Sequence, residues 1–211
     1  MNGLIKKRAW EHWWQTSTSR MFPRNAKWVE GKKIEKPTTE SPVRQVMADE
    51  ALKSGHSVLD MGCATCIDYE LYKGKEIHYT GIDITEKYLE TARELHPEID
   101  VRQMNVVKTS FKDGEYDTVY MKSLVEHLHP KEWKDAVREG WRIANNKFML
   151  CFVLLPVDGP PQYKYHPKGF YNNHVSKQEL IELLEGLEGF KSLEIHEGIG
   201  RHDLYIVEKK L

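Results

Sequence analysis

The 211-residue sequence has no apolar run close to the roughly 20 residues that a membrane-spanning helix requires. Its longest apolar stretch, residues 148–157, is better interpreted as a buried strand. The chain has three cysteines, an odd number that gives no disulfide framework and suits a reducing compartment. The amino-terminal residues lack the apolar segment of a secretory signal. These absences favour a soluble globular protein without a membrane partner, and we expect it to be cytoplasmic.

Positive and negative charges nearly cancel over the whole sequence, with a net charge of −1, but they are unevenly distributed along it. Residues 1–36 carry nine Lys/Arg against three Glu, a net charge of +6, which leaves −7 for the remainder. Trp10, Trp13 and Trp14 follow a helical spacing within this basic stretch. We therefore interpret residues 1–40 as a basic, tryptophan-rich helical arm. Such an arm can meet an anionic substrate, a nucleic acid or its own domain, and the weak overall charge favours its own domain.

Residues 41–211 form the second predicted unit, in which strands and helices alternate. A helix begins at Ser41-Pro42, and another is predicted between the first strand and Tyr72. Residues 156–175 are predicted as a long loop. The predicted strands are residues 58–61, 77–82, 101–104, 116–121, 148–155, 192–196 and 203–207. This order predicts an α/β fold with a doubly wound, mostly parallel seven-stranded sheet and an antiparallel carboxyl-terminal hairpin.

Two of these strands end in an acid, about 20 residues apart. Asp60 ends the first strand and is followed by a turn that contains Gly62. Asp83 ends the second strand. A glycine turn lets a ligand approach the backbone, and an acid on the next strand can bind ribose hydroxyls. The pattern predicts an enzyme with a nucleoside cofactor.

Residues 41–209 resemble the class I S-adenosylmethionine-dependent methyltransferases, a Rossmann-like group, and in particular their UbiE/UbiG-like domain. Three segments and their order carry the resemblance: residues 58–64, residues 81–83, and residues 116–128 with Leu124-Val125-Glu126-His127-Leu128. Gly189-Phe190 before the closing hairpin is also typical of the family. The resemblance implies S-adenosyl-L-methionine as cofactor and a transferase activity.

The resemblance also implies the residues that bind this cofactor. Asp83 would accept hydrogen bonds from both ribose hydroxyls, and Asp60 one from the amino group of the methionyl part. Gly62 would leave room for the methionyl backbone. Ile84 and Val106 would enclose the adenine ring. The Asn105 amide oxygen would accept a hydrogen bond from the amino group of the adenine. The full set of predicted cofactor contacts is Asp60, Gly62, Cys63, Ala64, Asp83, Ile84, Asn105, Val106 and Lys122.

The turn departs from the family at Ala64 and Cys66, where glycines are common. Cys63 and Cys66 form a Cys-x-x-Cys pair at a strand-to-helix junction, which is also the place of a thioredoxin-like redox pair. That interpretation leaves Asp60 and Asp83 without a role. No metal site is predicted, since further ligands at matching spacing are absent from the sequence.

Residues that follow strands four and five are predicted to face the acceptor. His127 would be the catalytic base, or would orient the acceptor. The aromatic loop after strand five would overhang the acceptor pocket. The arm could close over it as a lid. The predicted substrate contacts are Trp13, Tyr163, Tyr165, His166, Tyr171 and His174.

We therefore expect a methyltransferase that modifies an oxygen or nitrogen atom of a small polar acceptor. One alternative is an enzyme that modifies a nucleic acid or a protein by means of the basic arm. A second alternative is a non-catalytic module that binds the cofactor or a partner. The sequence predicts neither the acceptor nor the oligomeric state.

Overall fold

The computed structural model describes residues 41–167 and 169–210. The predicted arm, with Trp13, lies outside the described residues. The helices are α1 (Pro42–Leu52), α2 (Glu86–Leu95), α3 (Trp133–Ile143) and α4 (Lys177–Glu185). The strands are β1 (Ser57–Met61), β2 (His78–Asp83), β3 (Asp100–Gln103), β4 (Tyr116–Lys122), β5 (Ala144–Phe152), β6 (Gln162–His166), β7 (Phe170–His174), β8 (Phe190–Ile199) and β9 (His202–Lys209).

Seven of the strands form one sheet in the order β3-β2-β1-β4-β5-β9-β8. The strands from β3 to β5 are parallel, while β9 runs antiparallel to both β5 and β8. The predicted α/β fold with an antiparallel carboxyl-terminal hairpin is thus confirmed. The strand order reverses between β1 and β4, and in open α/β sheets this is where ligands bind, beyond the carboxyl ends of the strands.

Local sequence signals explain where the helices begin and which side they bury. Pro42 occupies the first turn of α1, where a missing backbone N–H costs nothing. The Ser176 hydroxyl accepts a hydrogen bond from the Glu179 backbone N–H at 3.4 Å and so caps α4. Trp133 and Trp141 lie on the buried side of α3, as their spacing predicts.

Each face of the sheet has its own apolar core. One core lies on the side of α1 and α2 and includes Tyr120 of β4 and Leu204 of β9. The other lies on the side of α3 and α4 and includes Phe148 and Phe152 of β5. Because neighbouring residues of a strand point to opposite faces, the face reached by each rim residue follows from these assignments.

Two predicted elements differ from the structure. In place of the helix predicted after β1, the structure has a short 3-10 helix, Ile67–Leu71. Ala64 and Cys66, with φ of 49° and 54°, break a regular α-helical path there. The predicted loop 156–175 contains the two-stranded hairpin β6–β7. Among the described residues, no helix is both long and apolar enough to cross a membrane.

Candidate functional site

The site lies along the carboxyl ends of β1, β2 and β4, which we call the rim. Asp60 is in β1 one residue before its end, Asp83 ends β2, and both side chains are buried. Within the described chain, all three non-glycine residues with positive φ, Ala64, Cys66 and Ser123, follow β1 or β4. Backbone strain of this kind concentrates at functional sites.

The Asp83 carboxylate joins the turns that follow β1 and β2. Its Oδ2 accepts a hydrogen bond from the Ala64 backbone N–H at 3.1 Å, and its Oδ1 accepts one from Thr85 N–H at 2.8 Å. Burial raises the pKa of Asp83 above its ordinary value. The hydrogen bonds from the backbone N–H groups of Thr85 and Ala64 act in the opposite direction but do not cancel this rise. A carboxylate can accept about four hydrogen bonds. Asp83 therefore retains acceptor capacity toward two hydroxyl groups.

The Asp60 carboxylate is part of a buried network with two tyrosines. Its Oδ2 accepts hydrogen bonds from the Tyr79 hydroxyl at 2.6 Å and the Tyr120 hydroxyl at 3.1 Å. Burial, followed by the negative charge of Asp68, raises its pKa to about 7. No described residue donates a hydrogen bond to Oδ1. A cationic amino group at the rim would be a suitable partner for this oxygen.

The turn after β1 is attached to the end of β2. The backbone N–H groups of Gly62 and Cys63 both donate to the Ile82 carbonyl, at 2.7 and 3.0 Å. Gly62 has a φ of +83°, which strongly favours glycine. A Cβ at Gly62 would meet Leu124 Cδ1 at 2.9 Å. The Cβ direction at Gly62 is thus filled by Leu124, and the approach of a ligand to the Gly62 backbone remains a prediction.

Cys63 and Cys66 are buried and pack against β2. A Cβ at Gly81 would lie 2.7 Å from the Cys66 Sγ and 2.8 Å from the Cys63 Sγ, so Gly81 makes room for both thiols. Burial raises the pKa of the Cys63 thiol well above its ordinary value, with the Cys66 side chain adding to this. A redox-active cysteine needs a lowered pKa, which burial does not give Cys63, and the contacts of both thiols with Gly81 are packing contacts.

The predicted adenine-side residues lie beyond β2 and β3. Ile84 is half-buried and its carbonyl accepts from the Gln103 side chain at 2.9 Å. Val106 is 7% exposed and belongs to the core on the α3 side, which leaves little of it for a ring. Asn105 is exposed, and its amide oxygen accepts from Val107 N–H at 3.0 Å. One of the two lone pairs of this oxygen is thus used within its own turn, and its contact with the adenine amino group remains a prediction.

Lys122, at the end of β4, is near an ion pair that the sequence did not indicate. Arg44 of α1 binds Asp68 of the 3-10 helix, and the Lys122 Nζ lies 3.9 Å from Asp68 Oδ2. The three side chains are only 15%, 9% and 16% exposed for Arg44, Asp68 and Lys122. Arg44 and Asp68 are 24 residues apart, and no local motif connects them.

Glu126 and His127 both hold the segments that follow β5. The fully buried Glu126 accepts at Oε1 from the backbone N–H of Val153 at 3.0 Å, and its Oε2 has no hydrogen-bond partner among the described residues. Burial raises the pKa of Glu126. The His127 Nδ1 lies 2.9 Å from the Tyr171 carbonyl oxygen. Because a carbonyl only accepts, Nδ1 carries a proton, and in the neutral ring the lone pair would belong to Nε2.

The predicted substrate contacts Tyr163, Tyr165, His166, Tyr171 and His174 lie on the hairpin β6–β7. Tyr165 and Tyr171 pack edge to face at 5.1 Å between ring centroids. His166 stacks on Phe170 at 4.4 Å, and Phe170 in turn contacts the His127 ring at 5.9 Å. Tyr163 is exposed. The His174 Nδ1 is 2.9 Å from the Leu155 carbonyl oxygen.

The hairpin is attached to the segment after β4 by a second contact. Asn173 is fully buried, and its Nδ2 donates to the Leu128 carbonyl at 2.8 Å. Together with His127, this contact places β7 beside residues 125–128. Among the described residues, no group of three or more His, Cys, Asp or Glu side chains could hold a metal ion.

Comparisons with known proteins agree with this geometry. A family model described as "Methyltransferase domain" matches residues 58–147. This span begins in β1 and ends in β5, so it includes Asp60, Asp83 and the segment after β4. A search of curated proteins finds no match. None of these results identifies the UbiE/UbiG-like subgroup.

Several solved structures share the fold at low sequence identity. A 1,6-didemethyltoxoflavin-N1-methyltransferase from Burkholderia thailandensis, solved with 1,6-didemethyltoxoflavin and S-adenosylhomocysteine, aligns with a TM-score of 0.69 and 14% identity over 99% of this chain and 88% of its own. The PH0226 protein of Pyrococcus horikoshii OT3 aligns with a TM-score of 0.66 and 19% identity over 92% of this chain and 99% of its own. The magnesium protoporphyrin IX methyltransferase of Synechocystis PCC 6803, solved with S-adenosylmethionine, aligns with a TM-score of 0.64 and 14% identity over 100% of this chain and 98% of its own.

Proposed function

We propose that this chain is a class I S-adenosylmethionine-dependent methyltransferase, which transfers a methyl group from S-adenosylmethionine to an oxygen or nitrogen atom of a small polar acceptor. The methyltransferase-domain match over residues 58–147 and the shared fold support this proposal. The observation that carries the proposal is the pair of buried carboxylates, Asp60 and Asp83, on neighbouring parallel strands at the rim. Cytoplasmic location remains a prediction.

The residues at the rim fit this cofactor. Asp83 would bind the two ribose hydroxyls with the lone pairs that Ala64 and Thr85 leave available. Asp60 Oδ1 would accept from the amino group of the methionyl part. Lys122 would contact the same part of the cofactor. Ile84 and the exposed fraction of Val106 would border the adenine ring.

Methyl transfer requires the protein mainly to align the acceptor atom with the methyl group of the cofactor. The bound cofactor supplies a methyl group on a positively charged sulfur, so no developing negative charge has to be stabilised on the leaving group. The protein therefore acts mainly by holding the acceptor atom in line with the methyl carbon. A base is required only if the acceptor loses a proton, and we assign that role to His127 through Nε2.

A small acceptor is supported by two observations. The hairpin β6–β7 adds aromatic rings beside residues 127–129: the Phe170 ring contacts His127 and the Tyr171 ring contacts His129. Such rings can enclose a small molecule. The similar structures from Burkholderia thailandensis and Synechocystis PCC 6803 are described as a 1,6-didemethyltoxoflavin-N1-methyltransferase and a magnesium protoporphyrin IX methyltransferase.

The substitution Asp83→Asn tests the proposed cofactor site. We expect it to weaken binding of S-adenosylhomocysteine by about 1.5–3 kcal/mol, the range for a lost hydrogen bond to a charged group. Calorimetry on the folded variant measures the change. Asp135→Asn, the same change on the exposed side of α3, should leave affinity unaltered. An unchanged affinity in a folded Asp83→Asn protein would reject the ribose assignment.

A further inference from the structure

Two buried tyrosines donate hydrogen bonds to the same oxygen of Asp60. Tyr120 of β4 lies opposite Asp60 in the register of the sheet, and its hydroxyl is 3.1 Å from Oδ2. Tyr79 comes from β2, on the other side of β1, and its hydroxyl is 2.6 Å from the same oxygen. Both tyrosines are buried in the core on the α1 side. The carboxylate is therefore held from both neighbouring strands.

This arrangement makes the two oxygens of Asp60 different. A carboxylate oxygen has about two lone pairs, and the two tyrosine hydroxyls use both lone pairs of Oδ2. Within the described chain, Oδ1 receives no hydrogen bond. A further donor at the rim therefore has to bind Oδ1, and the two tyrosines fix the direction in which this oxygen points.

The tyrosine hydroxyls also favour the charged form of Asp60. Burial and then the negative charge of Asp68 raise the pKa of Asp60 to about 7, while the hydrogen bond from Tyr79, the charge of Lys122 and the hydrogen bond from Tyr120 act in the opposite direction. Burial, followed by the charge of Asp60, raises the pKa of each tyrosine well above its ordinary value, so both remain donors. Removal of either hydroxyl should raise the pKa of Asp60 further.

Other charged and titratable groups face Asp60 from each element packed around it. Apart from the two tyrosines, they are Asp68 of the 3-10 helix with Arg44 of α1 bound to it, Lys122 of β4, Cys63 of the turn after β1, and Tyr72. Among the residues that the structure describes, none of these groups donates a hydrogen bond to the Asp60 carboxylate. The two tyrosine hydroxyls are thus its direct donors, and the remaining groups act on it at longer range.

We propose that Tyr79 and Tyr120 are positioning residues for the cofactor. Their hydroxyls occupy Oδ2 of the charged Asp60 carboxylate and direct Oδ1 toward the amino group of the methionyl part. The inference rests on the proposed function, which assigns this amino group to Asp60. Phenylalanine at either position keeps the ring in the core and removes only the hydroxyl.

The pH dependence of S-adenosylhomocysteine binding tests the inference. Because an ammonium group is attracted to the ionised carboxylate, the wild-type affinity measured by calorimetry should rise about 10-fold per pH unit below about pH 7 and then level off. In Tyr79→Phe the plateau should begin about 1–2 pH units higher, the equivalent of a lost hydrogen bond to a charged group. At about pH 6 the affinity should therefore be about 10- to 100-fold below that of the wild-type protein, and the difference should shrink as the pH rises.

Tyr116→Phe is the matched control. Tyr116 is a buried tyrosine of the same strand as Tyr120, and its hydroxyl donates to the Thr80 Oγ1 at 3.0 Å. The change removes a buried hydroxyl that does not contact Asp60, so the pH profile of binding should coincide with the wild-type profile. Tyr120→Phe should shift the profile in the same direction as Tyr79→Phe, and it replaces Tyr79→Phe if the latter does not fold. The wild-type profile needs no variant.

Two results would overturn the positioning role while leaving the proposed function intact. In one, the wild-type protein binds S-adenosylhomocysteine with an affinity that does not change with pH. In the other, Tyr79→Phe and Tyr120→Phe keep the wild-type midpoint, even if their affinity is lower by the same factor at every pH, as a purely structural effect would give. If the wild-type protein does not bind S-adenosylhomocysteine at any pH, the proposed function fails together with this inference.

Discussion

At the scale of single residues, burial rather than residue type sets the chemistry of the rim. Asp60, Asp83 and Glu126 are all carboxylic acids, and burial raises the pKa of each. Their partners differ, however. Asp60 binds two tyrosine hydroxyls, whereas Asp83 and Glu126 bind backbone N–H groups of turns and loops. Each acid therefore fixes a different part of the rim. Asp60 and Glu126 each keep one oxygen for another partner, whereas each oxygen of Asp83 already accepts one hydrogen bond.

His127→Asn separates a catalytic role of this residue from its structural contact. Asparagine can still donate to the Tyr171 carbonyl but cannot act as a base. With an acceptor found in a screen of phenols and amines, kcat should fall by about 10²- to 10⁴-fold. The affinity for S-adenosylhomocysteine should remain the same. Turnover is followed as formation of S-adenosylhomocysteine.

The neighbouring change His129→Asn serves as the control, because it removes a histidine from the same segment. Its kcat should stay near that of the wild-type protein. Full turnover in His127→Asn would exclude His127 as a base and would favour an acceptor that attacks without losing a proton.

At the scale of elements, the segment after β4 determines where the hairpin lies. Three consecutive residues make the contacts: Glu126 through its carboxylate, His127 through its ring, and Leu128 through its carbonyl. Each contact reaches a segment that follows β5. The hairpin thus depends on the end of the neighbouring strand for its position.

Asn173→Ala should loosen this hairpin. The change removes a fully buried amide and leaves the Leu128 carbonyl without its donor, at a cost of about 1–3 kcal/mol. Hydrogen–deuterium exchange within residues 162–174 should become faster. Affinity for S-adenosylhomocysteine should be unchanged, since Asp60 and Asp83 are not in contact with the hairpin.

Asn172→Ala provides the matched control on the same strand. Asn172 is half-buried and lies opposite Lys164. Its exchange rates should match those of the wild-type protein. If hydrogen–deuterium exchange in the hairpin of Asn173→Ala were as slow as in the wild-type protein, the contact with Leu128 would not hold the hairpin.

The elements could be predicted from the sequence where apolar periodicity was strong. β1, β2, β4 and the closing hairpin follow from alternating or continuous apolar runs next to clear turns. The hairpin β6–β7 could not, because Pro160, Pro161 and Pro167 indicate a loop and its outer strand is exposed. The 3-10 helix was missed because positive φ at Ala64 and Cys66 has no sequence signal.

The site was only partly predictable for a related reason. The structure places Asp60, Asp83 and Lys122 at one rim, because each stands at or next to the carboxyl end of a parallel strand. Arg44 and Asp68 come from a helix and a 3-10 segment, and only the folded chain brings them near Lys122.

At the scale of the whole molecule, the two sheet faces differ in polarity. The α1 side carries the polar network from Asp60 to Asp68 and Lys122 within its core, whereas the core on the α3 side is built mainly from aromatic and aliphatic residues. Stability should therefore depend on pH chiefly through the α1 side.

Asp60 gives this dependence a sign. Its pKa is about 7 in the folded protein and near 3.8 when it is unperturbed. The protonated form of Asp60 stabilises the folded protein fully when the pH is below the pKa of Asp60 in the unfolded chain. This stabilisation is lost as the pH rises through the pKa of Asp60 in the folded protein. The free energy of unfolding should fall by on the order of 2 kcal/mol between about pH 5 and pH 8.

Urea unfolding across this range measures the effect. In Asp60→Asn the decrease should be smaller, because the titrating group is absent, although Asp83 and Glu126 still contribute. Asp158→Asn, at an exposed aspartate, should retain the wild-type decrease. Equal slopes in Asp60→Asn and the wild-type protein would contradict a raised pKa for Asp60.

The attachment of the hairpin to residues 126–128 has a consequence for protein engineering. The nucleoside-side acids belong to β1 and β2, whereas β7 of the hairpin contacts the segment after β4 through Tyr171 and Asn173. Under the proposed function, a hairpin transplanted from another enzyme would alter acceptor choice and leave cofactor capture intact, provided that it kept the equivalents of Tyr171 and Asn173. Evolution could have diversified substrates by the same modular route.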